Sequence, residues 1–92
     1  MLKQPEALRD LYRAIISLET EEDCRNFLED LCTMPELHSL AQRFSVAKLL
    51  HEGKTFNEIM TEVGASSATI SRVNRSLVYG SGGYREMLEK LK

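Results

Sequence analysis

The sequence predicts an all-α protein of six helices, with a helix-turn-helix in its second half. Three observations predict it. Apolar residues recur at three- and four-residue spacing, and no stretch alternates apolar and polar side chains as a half-buried strand does. Helix starters and breakers punctuate the chain at Pro5, TEED (20–23), TMPE (33–36), Gly53, Gly64 and YGSGG (79–83). Residues 55–77 join a short amphipathic segment to a second one through a glycine turn, and the second opens on small polar residues.

The first helix begins near Pro5, which suits a first turn, and carries Leu8, Leu11, Tyr12 and Ile15 on one face, widened by Ile16 and Leu18. Thr20 caps the second, with Glu21, Glu22 and Asp23 suited to a helix N-terminus. Cys24, Phe27, Leu28 and Leu31 follow at helical spacing. Cys24 and Cys32 are expected on one face of that helix, eight positions apart, too far for a disulfide within it. They read as reduced core thiols, and isolated His38 and His51 complete no metal-ligand set. The third helix opens at TMPE with Pro35 in its first turn, runs to about Glu52 and stops at Gly53. Leu37, Leu40, Ala41, Phe44 and Ala47 form one stripe, and Val46, Leu49 and Leu50 extend it onto a second face. A helix apolar on two sides needs more than one neighbour. A second subunit supplies it in a dimer; the remaining five helices would have to supply it in a monomer.

The helix-turn-helix begins at Thr55, whose hydroxyl is placed to cap Glu58 while Glu58 returns the bond. Ile59, Met60 and Val63 form its apolar side, Gly64 takes the left-handed turn position, and Ser66 caps the next helix. Ile70, Val73 and Leu77 make that helix's buried stripe. Ser67, Ala68, Ser71, Arg72, Asn74 and Arg75 fall mostly on the other face. Small residues at its start let the helix approach base edges, and the arginines reach phosphate or guanine. The competing reading is an ordinary helical hairpin. Against it, no acid occurs from Gly64 to Tyr84, and Ser, Thr and Asn are mediocre helix formers, so their concentration favours contact over stability. The DNA-binding set is therefore Thr55, Ser66, Ser67, Ala68, Thr69, Ser71, Arg72, Asn74 and Arg75. Three glycines in YGSGG break the chain again before a last helix with Tyr84, Met87, Leu88 and Leu91.

Ninety-two residues make one domain, grouped as dimerisation helices (1–52), helix-turn-helix (55–78) and C-terminal helix (83–92). The net charge of −2 is no general nucleic-acid signature, but it is unevenly spread. Residues 1–52 carry six basic and ten acidic residues, against six and four in 53–92, so the motif half is net positive. The N-terminus lacks the apolar run of a signal peptide and no segment is long enough to span a bilayer, so a cytoplasmic location and no membrane partner are expected. No Ser/His/Asp or Cys/His grouping supports an enzyme. The expected function is sequence-specific DNA binding by a transcription regulator, a repressor; the alternative is a protein-interaction module that retains the fold without specific DNA binding.

MPE (34–36), LAQR (40–43), LLHEG (49–53), TFNEI (55–59), VGA (63–65), ATISR (68–72) and NRSL (74–77) together resemble the Trp repressor superfamily, closest to its YerC/YecD-type branch. The resemblance covers roughly residues 33–91, and GASSATISR (64–72) is its most specific piece. It implies an intertwined homodimer with two recognition helices in successive major grooves, about 34 Å apart. It also implies that Ser66, Ser67, Ala68 and Thr69 read bases partly through water. Arg43 and Arg72 match the two arginines that hold the effector tryptophan in that family, and Thr33 and Ser76 match further pocket positions. Val73 stands where the tryptophan-binding protein has a glycine, and the Gly53–Thr55 connection is one residue shorter. The implied effector is L-tryptophan or another small carboxylate; the alternatives are structural or phosphate contacts by the arginines, with no effector at all.

Overall fold

The computed structural model describes residues 4–92. Six helices occur in order: α1 (Gln4–Ile16), α2 (Glu21–Leu31), α3 (Met34–His51), α4 (Phe56–Val63), α5 (Ser67–Tyr79) and α6 (Gly83–Lys90), with no strand among the described residues. They form two compact units that divide after Leu37, inside α3.

The first unit holds α1, α2 and the opening turn of α3. Its helices are set by local bonds. The Thr20 hydroxyl accepts from the Asp23 amide at 3.0 Å, as the sequence anticipates. Thr33 and Glu36 form a reciprocal capping box: the Glu36 amide donates to the Thr33 hydroxyl at 3.2 Å, and the Thr33 amide donates to the Glu36 carboxylate at 2.8 Å. Those bonds, first from the Thr33 amide and then from its side chain, hold the Glu36 carboxyl below its ordinary value. One expectation is corrected. Cys32 does not share a helix face with Cys24; it lies one residue past α2 with extended backbone (φ −110°, ψ 150°), its amide closing the helix onto Leu28. The early stop follows from the Thr33 cap, which begins a new helix only two residues later. Neither α1 nor α2 contains a buried residue, and Leu8, Tyr12, Ile15, Ile16 and Leu31 are exposed.

The second unit holds the rest of α3 with α4, α5 and α6. Val46, Ala47, Ile59, Ala65, Ile70, Val73 and Leu88 form one core, with Phe44, Leu49, Leu50, Val63 and Tyr84 packed against it. The two-sided apolarity of α3 is thus partly answered within the chain, since Val46 and Ala47 are fully buried while Leu40 stays exposed. This is also why α3 beyond Leu37 groups with the motif rather than with the first two helices. Gly53 turns the chain out of α3 at φ +88°, and Gly64 closes α4 at φ +76°, both in the left-handed region that glycine adopts at little cost. Each fully buried Ile or Val contributes roughly 1.5–3 kcal/mol relative to exposure, so the four largest, Ile59, Ile70, Val46 and Val73, dominate the adhesion of this unit.

Candidate nucleic-acid interface

Local chemistry seats the reading helix. Thr55 caps α4 by accepting from the Glu58 amide at 3.2 Å. The return bond differs from the expected box: the Thr55 hydroxyl donates to the Glu58 carboxylate at 3.1 Å, and the other carboxylate oxygen lies 3.8 Å from the Lys54 Nζ. Ser66 caps α5 by accepting from the Thr69 amide at 3.1 Å. Ile70, Val73 and Leu77 are all buried, so the helix's rotation about its axis is fixed. That rotation leaves Ser67, Ala68, Ser71, Arg72 and Arg75 exposed and Thr69 and Asn74 half-buried. Thr55 and Ser66 are exposed as well.

Arg43 of α3 and Arg72 of α5 line one depression of about 460 Å³, together with Ser39, Gln42, Ala68 and Thr69. The lining holds two guanidinium groups and no carboxylate, which suits an anion. Ser39 and Gln42 escaped the sequence reading. Their spacing to Arg43 at i, i+3 and i+4 puts all three on one face of α3, a signal that could have found them.

The five positions implied for an effector pocket are not all gathered. Arg43 and Arg72 come together. Val73 does not line the depression; it is 1% exposed and part of the core. Ser76 lines a different depression, with Phe44, Gly80, Tyr84 and Met87. Thr33 belongs to the first unit, where its hydroxyl is engaged in the capping box.

The charge asymmetry read from sequence is concentrated on this face. Glu58 and Glu62 sit on α4, and the chain from Gly64 to Tyr84 supplies only Arg72 and Arg75 as charged groups. No helix among the described residues is long and apolar enough to cross a membrane.

The Trp repressor protein family matches residues 6–92. The uncharacterized protein YerC of Bacillus subtilis (strain 168) is 51% identical over 85 residues, spanning 92% of this chain and 82% of its own length. Among solved structures, a Staphylococcus aureus protein provisionally described as a Trp repressor superposes with a TM-score of 0.89 at 45% identity, covering 98% of this chain and 95% of its own. A TrpR-like protein from Eubacterium eligens ATCC 27750 superposes with a TM-score of 0.90 at 50% identity, covering 94% and 89%. With a match across nearly its whole length and half of its residues shared with a relative, the chain belongs to the Trp repressor family, in the company of YerC.

Proposed function

We propose that this protein is a sequence-specific DNA-binding transcription regulator, a repressor, that inserts the N-terminal half of α5 into the major groove as a homodimer. One observation carries the reading. The buried stripe Ile70, Val73 and Leu77 fixes α5 so that its exposed side presents Ser67, Ala68, Ser71, Arg72 and Arg75 without an acid among them. Repression needs only occupancy of a promoter. The homodimer is supported by α1 and α2, which bury nothing and expose Leu8, Tyr12, Ile15, Ile16 and Leu31. A chain of this size gains the most from covering such a face.

The depression between Arg43 and Arg72 is proposed to take an anionic group, either a backbone phosphate of the operator or a small carboxylate. The lining includes Ser39, Gln42 and Thr69, and Val73 is packed in the core, so the proposal does not require L-tryptophan for DNA binding.

Selection of binding sites from random duplex DNA, with and without L-tryptophan, tests the proposal. A recovered pseudo-palindrome with half-sites about one helical turn apart supports a dimeric regulator. No enrichment in either condition overturns it and favours a protein-interaction module, for which the apolar face of α1 is the available surface.

A further inference from the structure

Tyr79, the last residue of α5, is 82% exposed, more than any other large apolar side chain among the described residues. Its position on the helix is not arbitrary. Ala68, Arg72, Arg75 and Tyr79 recur at i, i+4, i+7 and i+11, one continuous stripe on the side opposite Ile70, Val73 and Leu77. All four are exposed. The stripe that presents both arginines therefore ends on a phenol.

We infer that Tyr79 is a further DNA contact, its hydroxyl donating to a backbone phosphate at the edge of each half-site. The inference rests on the proposed DNA-binding reading. Eleven helical steps take Ala68 to Tyr79, about 16 Å along the axis. That exceeds the roughly 12 Å width of the major groove, enough for one end of the helix to meet base edges while the other meets the sugar–phosphate wall. Tyrosine hydroxyls are among the groups that position proteins on phosphate. No acid occurs on α5 itself, so the helix that carries Tyr79 adds no charge that would repel that phosphate. A neutral donor there sets register without adding to the salt dependence that Arg72 and Arg75 bring. An amphipathic aromatic side chain held on a fixed helix also loses little conformational freedom on contact.

The test compares wild type, Tyr79→Phe and Arg75→Ala on the selected duplex by fluorescence anisotropy at several salt concentrations. Loss of a hydrogen bond to a charged oxygen is expected to weaken Tyr79→Phe by at least about 10-fold, with the wild-type salt slope. Arg75→Ala, which removes one phosphate contact from each half-site of the dimer, weakens binding and makes the slope shallower by about 1.8. Replacing the contacted phosphate by a neutral methylphosphonate abolishes the difference between wild type and Tyr79→Phe. Because Tyr79 is solvent-exposed, the phenylalanine variant folds, which circular dichroism checks. Wild-type affinity in Tyr79→Phe alongside weakened Arg75→Ala overturns the role of Tyr79 and leaves DNA binding standing. Unchanged DNA affinity in Tyr79→Phe with an altered sedimentation coefficient overturns it in favour of a protein interface. Failure of wild type to bind any duplex overturns both readings together.

Discussion

The hydroxyl of Ser66 accepts from the Thr69 amide and donates to the Thr69 hydroxyl, both at 3.1 Å. The two residues are thus partly spent on holding the start of α5, whereas Ser67 between them is exposed and has no such duty. On the proposed DNA-binding reading, this separates stability from recognition within one helical turn. Ser66→Ala is expected to lower unfolding free energy by about 1 kcal/mol through loss of the cap. Ser67→Ala is expected to stay within about 0.5 kcal/mol of wild type while weakening DNA binding. Urea unfolding and anisotropy on the two variants check the split. Equal loss of stability in both would remove the distinction between a capping and a reading serine.

Local signals made most of the second unit legible. Thr55, Gly64 and Ser66 act within three or four residues of their partners, so chemistry visible in a short window fixes them. The stripe Ile70, Val73 and Leu77 was readable for the same reason. What escaped depends on contacts distant in sequence. Ser39 and Gln42 share a helix face with Arg43, but they line the depression only because α5 comes back beside α3, which that local spacing does not announce. Val73 was legible as part of the buried stripe from its spacing to Ile70 and Leu77, and the structure has it in the core. Cys32 was misplaced because the apolar spacing of α2 runs on past the point where Thr33 starts a new helix.

Val73 therefore yields a stability prediction rather than a ligand one. At 1% exposure it packs in the core shared by α3, α4, α5 and α6. Val73→Ala removes two methyl groups and leaves a cavity, at an expected cost of about 1.5–3 kcal/mol. Adding L-tryptophan is expected to leave the melting temperature of wild type and variant unchanged, measured by differential scanning fluorimetry. A rise in either would mean that an indole does enter beside Val73, since a ligand that binds only the folded state must stabilise it.

Two glycines limit the motif for different reasons. Gly64 has φ +76° and open space where a Cβ would sit, so its constraint is backbone alone. Gly80 has ordinary φ, but a Cβ there would run into the Ser76 carbonyl, which also accepts the Gly80 amide at 2.9 Å. Gly64→Ala is expected to cost about 1–2 kcal/mol, and Gly64→Asn less, because asparagine tolerates the left-handed conformation. At Gly80 both substitutions are expected to cost about 1–3 kcal/mol, because the obstruction is steric. Thermal unfolding of the four variants decides the matter; an asparagine advantage at both positions would contradict the steric account of Gly80.

The last prediction concerns acid. Two carboxyls are held below their ordinary value: Glu36 by the Thr33 amide and hydroxyl, and Glu89 by Lys92 first and then by His51, whose Nε2 lies 3.2 Å from Glu89 Oε1. A depressed folded-state pKa means that the unfolded state binds the proton more readily. The stabilisation is then fully present above the unfolded carboxylate value of about 4.3 and is lost as pH falls through the lower folded value. Both groups are exposed, so the effect is small and lies on the acid limb only. Their partners differ in a way that can be measured. Lys92 is a charge, and added salt screens it, whereas the Thr33 amide is a neutral donor in a local ring. Glu89→Gln is therefore expected to flatten the stability profile below about pH 4.5 at low salt and to matter little at high salt. Glu36→Gln keeps a capping-box side chain and removes only its titration, so its flattening is expected at both salt concentrations. Urea unfolding from pH 3 to pH 6 at about 0.02 M and about 0.5 M salt separates the two. Identical salt dependence in both variants would show that the Glu36 shift also arises from surrounding charge and not from the cap.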